Sequence, residues 1–166
     1  MSRIDELASI CLTGRLRGFA ARPTPDDVER AMGNEYLDVW DKKRRFLRRD
    51  YGIVEFHFFR DDAWRCRTVG IQLHRVQNSP HPPSGPELPL LGEGTGRVVW
   101  ADLARAIQAA NGSIPTADSV QGYLRYHFPQ AGVEVFVEVP EDCPDDSDDV
   151  WSIVITYGDS GVMLAP

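Results

Sequence analysis

Three side chains that could do chemistry lie near the middle of the sequence: His57, Cys66 and His74. Imidazole and thiolate groups are common zinc ligands, and a histidine can also act as a general acid or base. Their spacing contains no Cys-x-x-Cys or His-x-x-x-His pair, and the turn between the two histidines does not fix the register of their strands. We therefore expect hydrogen-bonded sheet histidines, with no metal ligand and no catalytic residue.

A carboxylate, Glu55, stands among apolar residues in the same region. If it is buried near Arg67 or Arg75, its role is structural. If it lines a cavity, a raised pKa would suit it to catalysis or ligand binding. Both interpretations stay open from the residues alone.

Two short motifs have the composition of active-site loops. Gly158-Asp159-Ser160-Gly161 resembles the sequence around the nucleophile of chymotrypsin-like proteases, but no upstream segment supplies the histidine base. Gly92, Gly94 and Gly96 do not follow a strand and open a helix, as a dinucleotide-binding loop does. We therefore expect no catalytic site, no cofactor and no bound nucleotide.

The elements that would position these residues begin with two segments of alternating apolar and polar residues. Residues 51–75 and 132–158 each contain two such runs around a polar turn, and the second turn is acidic and contains proline. Strict alternation is typical of half-buried strands. Each segment therefore predicts a β-hairpin.

Helices are predicted on both sides of the first hairpin. Residues 2–12 form an amphipathic pattern that Ser2 can cap and that ends near Gly14, and a second, short helix begins at Thr24 and ends at Gly33. Trp100, Leu103, Ala104 and Ile107 mark one face of a third helix that closes at residues 111–112. A fourth helical turn is predicted from Thr116 or Asp118 to His127, with His127 capping its end.

This order predicts an α+β fold in which an antiparallel sheet built from two β-hairpins has helices packed on one face. The repeated order suggests an internal duplication, with Trp64 and Trp151 as corresponding residues. At 166 residues, the chain fits a single domain over residues 1–166. A loop rich in proline and glycine is expected at about residues 77–97.

The composition excludes several classes of protein. Hydrophobic residues make up 42% of the chain, yet no apolar run approaches the roughly 20 residues that span a bilayer. The first residues lack the apolar stretch of a secretory signal, and three widely separated cysteines do not form a disulfide framework. These features predict a cytoplasmic protein with reduced thiols and no membrane partner.

The charges are unevenly distributed. The net charge of -7 argues against a nucleic-acid binder and favours a cationic protein partner. One basic run precedes the first hairpin: Lys42, Lys43, Arg44, Arg45, Arg48 and Arg49. The acidic residues of the second hairpin turn are the candidate partner-binding residues: Glu141, Asp142, Asp145, Asp146, Asp148 and Asp149. Either run can equally be an ordinary solvated surface.

The run Leu47-Arg48-Arg49-Asp50-Tyr51-Gly52-Ile53-Val54-Glu55-Phe56, continuing to the segment Ile71-Gln72-Leu73-His74-Arg75, resembles a hairpin of small actinobacterial proteins. Those proteins accompany polymorphic toxins and are regarded as their immunity proteins. The resemblance covers about 30 of the 166 residues and implies a protein that binds and blocks a toxin domain. An acidic chain suits that role because many toxins are basic.

The leading hypothesis is therefore a cytoplasmic protein-binding module, not an enzyme, that acts as an immunity-like inhibitor of a basic toxin. The alternative is a small-ligand binding or accessory protein with a cavity between sheet and helices. An enzyme without a recognisable motif is a third possibility.

Overall fold

The computed structural model describes residues 2–77, 91, 96–111, 113–139 and 148–158. In the first half of the chain the elements are α1 (Arg3–Thr13), α2 (Pro25–Met32), β1 (Leu37–Trp40), β2 (Phe46–Asp50), β3 (Val54–Phe59), a 3-10 turn (Arg60–Asp62), β4 (Arg65–Ile71) and α3 (Leu73–Gln77). In the second half they are α4 (Trp100–Asn111), β5 (Ala117–Val120), β6 (Tyr123–Phe128), β7 (Val133–Glu138) and β8 (Asp149–Thr156).

The eight strands form one antiparallel sheet in the order β1-β2-β3-β4-β8-β7-β6-β5. The predicted α+β class is confirmed, and the two predicted hairpins are β3–β4 and β7–β8 within this sheet. Each half of the sheet is a meander of four strands that follows a helix, α2 or α4. The two meanders join where β4 pairs with β8, so the order of elements repeats as an internal duplication would require.

The core lies between one face of the sheet and the helices. Along β3, Val54, Phe56 and Phe58 are fully buried on the helix-facing side, because alternate side chains of a strand point to the same face. The ring of Phe19, which follows α1, lies 5.4 Å from that of Phe56. On α4, Trp100, Leu103 and Ile107 are buried. The helix packs against α1 and contacts the sheet where the Trp100 ring stacks on Tyr126 of β6, with centroids 3.9 Å apart.

Local sequence signals place the ends of the first two helices. The Ser2 side chain accepts the backbone N–H of Asp5, and Gly14 ends α1 at a positive φ of 62°. Thr24 and Asp27 form a reciprocal capping box at the start of α2. The predicted starts and ends of both helices are confirmed.

The segment predicted as a helical turn up to His127 is wrong, because it forms the hairpin β5–β6. Gln121 and Gly122 have φ values of 50° and 88° and make the two-residue turn that joins the strands. His127 therefore lies on β6, opposite Glu134, and caps no helix.

Three further expectations need correction. Strands β1 and β2 were not predicted, since the basic run of residues 42–49 was interpreted only as a charged surface; it contains the turn before β2 and most of β2. His74 lies in α3 and not on a strand. Trp64 sits in the turn before β4 whereas Trp151 is inside β8, so they are not corresponding residues of the two halves.

No helix within the described ranges is long and apolar enough to span a bilayer. Most of the loop predicted at residues 77–97 lies outside the described residues.

Candidate functional site

Strand β1 is an exposed edge of the sheet with apolar side chains. It ends the strand order, and among the residues with described positions no strand lies on its outer side. Leu37, Val39 and Trp40 remain 62%, 38% and 41% exposed. The one other large apolar side chain that is exposed within the described part of the chain is Val139. An apolar edge of this kind can pair with a strand from another chain.

The backbone of β1 is also available at this edge. Asp41 donates its N–H to the Phe46 carbonyl at 3.2 Å, and bonded positions alternate along an antiparallel ladder. Val39 is therefore bonded to β2, whereas Asp38 and Trp40 direct their N–H and C=O groups away from it. Two residues of β1 thus present main-chain donors and acceptors to a partner.

An aromatic pair lies at the end of β1. The rings of Trp40 and Trp64 meet edge to face at 5.4 Å, and the Arg44 guanidinium lies 5.5 Å from the Trp40 ring. Arg44, Ala63 and Trp64 all have φ values between 49° and 58°, in the left-handed region. This conformation costs non-glycine residues about 1 kcal/mol or more each. Strained backbone of this kind is concentrated at functional sites.

An arginine fixes β1 to the rest of the fold. Arg49 donates two hydrogen bonds to the Asp38 carboxylate, at 2.9 and 3.0 Å, and a third to the Pro25 carbonyl at 3.0 Å. Its guanidinium also stacks on the Tyr36 ring at 3.7 Å. Because Arg49 is buried, these contacts hold β1 against β2 and α2. The exposed edge is therefore preorganised.

The opposite edge of the sheet, β5, is polar. Asp118 and Ser119 are its exposed central residues, and Arg125 of β6 donates two hydrogen bonds to the Asp118 carboxylate at 3.0 and 2.6 Å. Charged residues on an edge discourage pairing with other chains. The two edges thus differ in chemistry, and β1 is the one suited to a partner.

The face of the sheet opposite α1, α2 and α4 carries a polar cluster around Glu55, to which α3 contributes Arg75. Glu55 is 4% exposed and accepts hydrogen bonds from Arg75 at 2.6 Å and from Gln72 at 3.3 Å. Arg48 approaches it to 3.9 Å. Of the two interpretations open from the sequence, these contacts favour the structural one, with Arg75 and not Arg67 as the partner.

His57 lies beside this cluster, with its Nε2 atom 3.6 Å from the Glu55 carboxylate. Burial lowers the pKa of His57 below 6.5, although the carboxylate of Glu55 acts in the opposite direction. Arg48 also lowers this pKa and Asp50 raises it. At pH values between the folded pKa and the unfolded value, the unfolded chain binds more protons than the folded one, so acidification favours unfolding.

We expect the free energy of unfolding to fall as the pH drops through about 6.5, and part of this fall to be absent in the variant His57→Gln. Chemical denaturation at a series of pH values between 8 and 5 measures the free energy of unfolding of both proteins. Equal slopes for wild type and His57→Gln would contradict the prediction.

The three potential zinc ligands do not share a face. His57 is on the face away from the helices, whereas Cys66 is buried on the helix-facing side and its Sγ contacts the Thr68 carbonyl at 3.2 Å. Burial raises the pKa of the Cys66 thiol to about 12. His74 stacks on Trp151 with ring centroids 4.2 Å apart. No group of three metal-binding side chains occurs among the residues with described positions.

Of the six acidic residues predicted to bind a partner, Glu141, Asp142, Asp145 and Asp146 lie outside the described residues. Asp148 accepts the Trp100 backbone N–H on its carbonyl oxygen at 2.8 Å. Asp149 opens β8 opposite Glu138, and its carboxylate contacts Arg97. Of the two described carboxylates, that of Asp149 is therefore paired within the chain, and the acidic interface stays a prediction.

Sequence reasoning missed the β1 edge. Leu37-Asp38-Val39-Trp40 does alternate, and Asp41 follows it as a turn residue. A four-residue alternation is short, however, and only the strand order reveals that it lies at an edge. From the sequence, Trp64 was named only as the residue corresponding to Trp151 in an internal duplication, and not as a neighbour of Trp40.

Comparison with known proteins gives little that bears on function. No family model matches the chain, and no curated protein matches it. Among solved structures, the chain is similar to a DUF4309 family protein (YjgB) from Bacillus subtilis, with 12% sequence identity and a TM-score of 0.47. That alignment covers 95% of this chain and 98% of the other. Function is therefore inferred from the residues of this chain alone.

Proposed function

We propose that the protein is a protein-binding module that adds a strand of its partner to the β1 edge. The observation that carries this proposal is the exposed apolar strand with outward main-chain groups at Asp38 and Trp40. Strand addition derives affinity from main-chain hydrogen bonds and specificity from alternate side chains. Leu37 and Val39 would contact the apolar side chains of the added strand.

The partner segment is extended and acidic. The turn that follows β1 carries four exposed basic residues beside the edge: Lys42, Lys43, Arg44 and Arg45. Complementary charge accelerates association and selects among partners. Trp40, with Trp64 behind it, is the aromatic anchor of the interface, since tryptophan is enriched among the residues that dominate binding energy.

An immunity-like inhibitor of a basic toxin domain is the particular form of this proposal that the resemblance suggests. In that form the acidic residues from Glu141 to Asp149 make a second contact, with the basic body of the toxin. Glu138 and Asp149, the strand residues on either side of the acidic run, lie in the other half of the sheet from the basic β1–β2 turn and at the opposite end of its strands. One partner would therefore have to span the sheet to meet both.

A display library of extended peptides, screened on the immobilised protein, tests the edge. We expect enriched peptides to be acidic and to alternate in hydrophobicity. Trp40→Ala should weaken their binding by at least about tenfold, because an anchor of this type contributes about 2 kcal/mol or more. Val39→Lys should weaken it as well, because the substitution replaces an apolar contact with the added strand and a lysine on an edge opposes strand pairing.

Ser119→Lys is the matched control, since it adds the same charge to the β5 edge. It should leave peptide binding unchanged. Two results would argue against the β1 interface: enriched peptides that are neutral or basic, or equal peptide binding by Val39→Lys and Ser119→Lys.

A further inference from the structure

A pocket of about 610 Å³ lies where β2 and β3 meet at one end of the sheet, on the face away from the helices. Its lining consists of two aromatic rings and four charged side chains: Asp41, Arg45, Phe46, Phe59, Arg60 and Asp61. Pockets that bind small organic molecules span about 300 to 1,000 Å³. This volume is sufficient for a ligand with one or two fused rings.

The apolar wall of the pocket is rigidly held. Phe46 and Phe59 are directly opposite on β2 and β3, with centroids 5.1 Å apart and planes inclined by 56°. The His57 ring packs against Phe46 at 5.6 Å, and the Arg67 guanidinium covers Phe59 at 4.9 Å. Because both rings are supported from behind, they offer a fixed surface to the flat face or edge of an aromatic ligand.

The two acidic residues of the lining are occupied by contacts of their own. The Asp41 carboxylate accepts three backbone N–H groups of its own turn at distances of 2.5 to 3.3 Å, and these bonds lower its pKa. Asp61 lies 3.4 Å from the Arg67 guanidinium. Both carboxylates therefore have donors within the protein, although the Asp61 side chain is 72% exposed.

The two arginines of the lining are less engaged. Arg60 donates its backbone N–H to the Arg45 carbonyl at 2.9 Å, which brings the two residues together at the same end of the pocket. Within the described ranges the Arg60 guanidinium makes no hydrogen bond or ion pair. The Arg45 guanidinium is 67% exposed and reaches Asp41 only at 4.0 Å. The pocket thus combines an aromatic wall with cationic groups at its mouth.

We propose that this pocket binds a small planar organic anion of the aromatic carboxylate class. The ring of the ligand packs against Phe46 and Phe59, and its carboxylate binds the guanidinium groups of Arg60 and Arg45, whose planar donors match a carboxylate. This site is on the opposite face of the sheet from the cavity expected between sheet and helices. It shares Arg45 with the basic turn beside the β1 edge, so the naphthoate experiments are made without a partner peptide.

Calorimetric titration with three matched probes tests the ligand class. Naphthoate carries the planar ring and the anion, naphthylmethylamine carries the ring with a cation, and cyclohexanecarboxylate carries the anion without a planar ring. We expect naphthoate to bind at least about tenfold more tightly than either of the others. Equal or tighter binding of the amine overturns the proposal, as does no detectable binding of naphthoate at about 1 mM.

Two variants locate the site. Arg60→Gln should weaken naphthoate binding by at least about fivefold, whereas Arg30→Gln, an exposed arginine on α2, should leave it unchanged. Phe59→Leu should reduce the preference for naphthoate over cyclohexanecarboxylate. Equal dissociation constants for Arg60→Gln and Arg30→Gln overturn the assignment. Both arginines are exposed, so these two variants should fold, and their comparison stands even if Phe59→Leu does not fold.

Discussion

Replacing Gly14 by alanine is expected to reduce the free energy of unfolding by at least about 3 kcal/mol. Gly14 ends α1 with a φ of 62°, and a Cβ atom at this position would lie 2.0 Å from the backbone oxygen of Ala131. Two costs combine: the left-handed conformation, and the displacement of one backbone segment from another. Urea denaturation followed by tryptophan fluorescence measures the loss.

Gly18→Ala separates the two costs. Gly18 also has a positive φ, of 83°, but nothing lies within 4 Å of the place where its Cβ would be. Its substitution should cost about 1 kcal/mol, from the backbone conformation alone. Gly132→Ala should behave like Gly14→Ala, since its Cβ would meet the Thr156 oxygen at 2.4 Å. Similar losses at Gly14 and Gly18 would show that the close approach to Ala131 has no energetic weight.

The second large effect is expected at the buried carboxylate of Glu55. Arg75→Met removes its nearest cation and should destabilise the protein by about 3 kcal/mol, because a buried charge without a partner is costly. Arg75 also donates to the Asp50 carboxylate at 3.2 Å and to the Gly52 carbonyl at 2.6 Å. Its partial exposure to solvent moderates the loss.

Combining Arg75→Met with Glu55→Leu should restore at least half of the lost stability, since the unpaired carboxylate is then absent. Arg105→Met is the control for the arginine itself, because its ion pair with Asp102 is exposed and should contribute less than about 0.5 kcal/mol. If the double variant is as unstable as the sum of its two single variants, the pair is not coupled in the way its geometry indicates.

The parts of the fold that the sequence predicts correctly are those specified by neighbouring residues. Ser2, Thr24 and Asp27 cap helices through contacts three residues away, and Gly14 is read as a helix end because glycine tolerates a positive φ. Both hairpins that were predicted have long alternating strands. In each case the sequence pattern and the helix end or hairpin that it predicts are formed by the same neighbouring residues.

The errors arise where short strands depend on distant partners. β1 and β5 contain four residues each, and such a run is compatible with helix, strand or turn until its neighbour is known. In β6, Leu124 and Tyr126 lie on the helix-facing side of the strand. The helical pattern predicted for this segment used Val120, Tyr123, Leu124 and His127 instead. The two-residue turn at Gln121-Gly122 was the signal that favoured the hairpin.

The candidate sites were harder to predict than the fold. Whether β1 is an edge follows from the order of all eight strands, which no local pattern contains. The pocket depends on Phe46 and Phe59 lying opposite each other on β2 and β3. A shift of one residue in the pairing of these strands would turn one ring to the other face of the sheet. Charge runs, in contrast, are visible in the sequence but do not reveal which carboxylate, such as that of Asp149, is already paired.

The packing of α1 has a consequence for synthesis on the ribosome. The first helix contacts α4 and β7, which belong to the other end of the chain. At translation rates of about 5 to 20 residues per second, the apolar side of α1 waits roughly 5 to 20 s before α4 has been made. During that interval Leu7 and Ile10, both fully buried in the finished fold, have no final partners on α4. This apolar surface therefore stays exposed until α4 has been synthesised, and the sheet is complete only after β8 has left the exit tunnel.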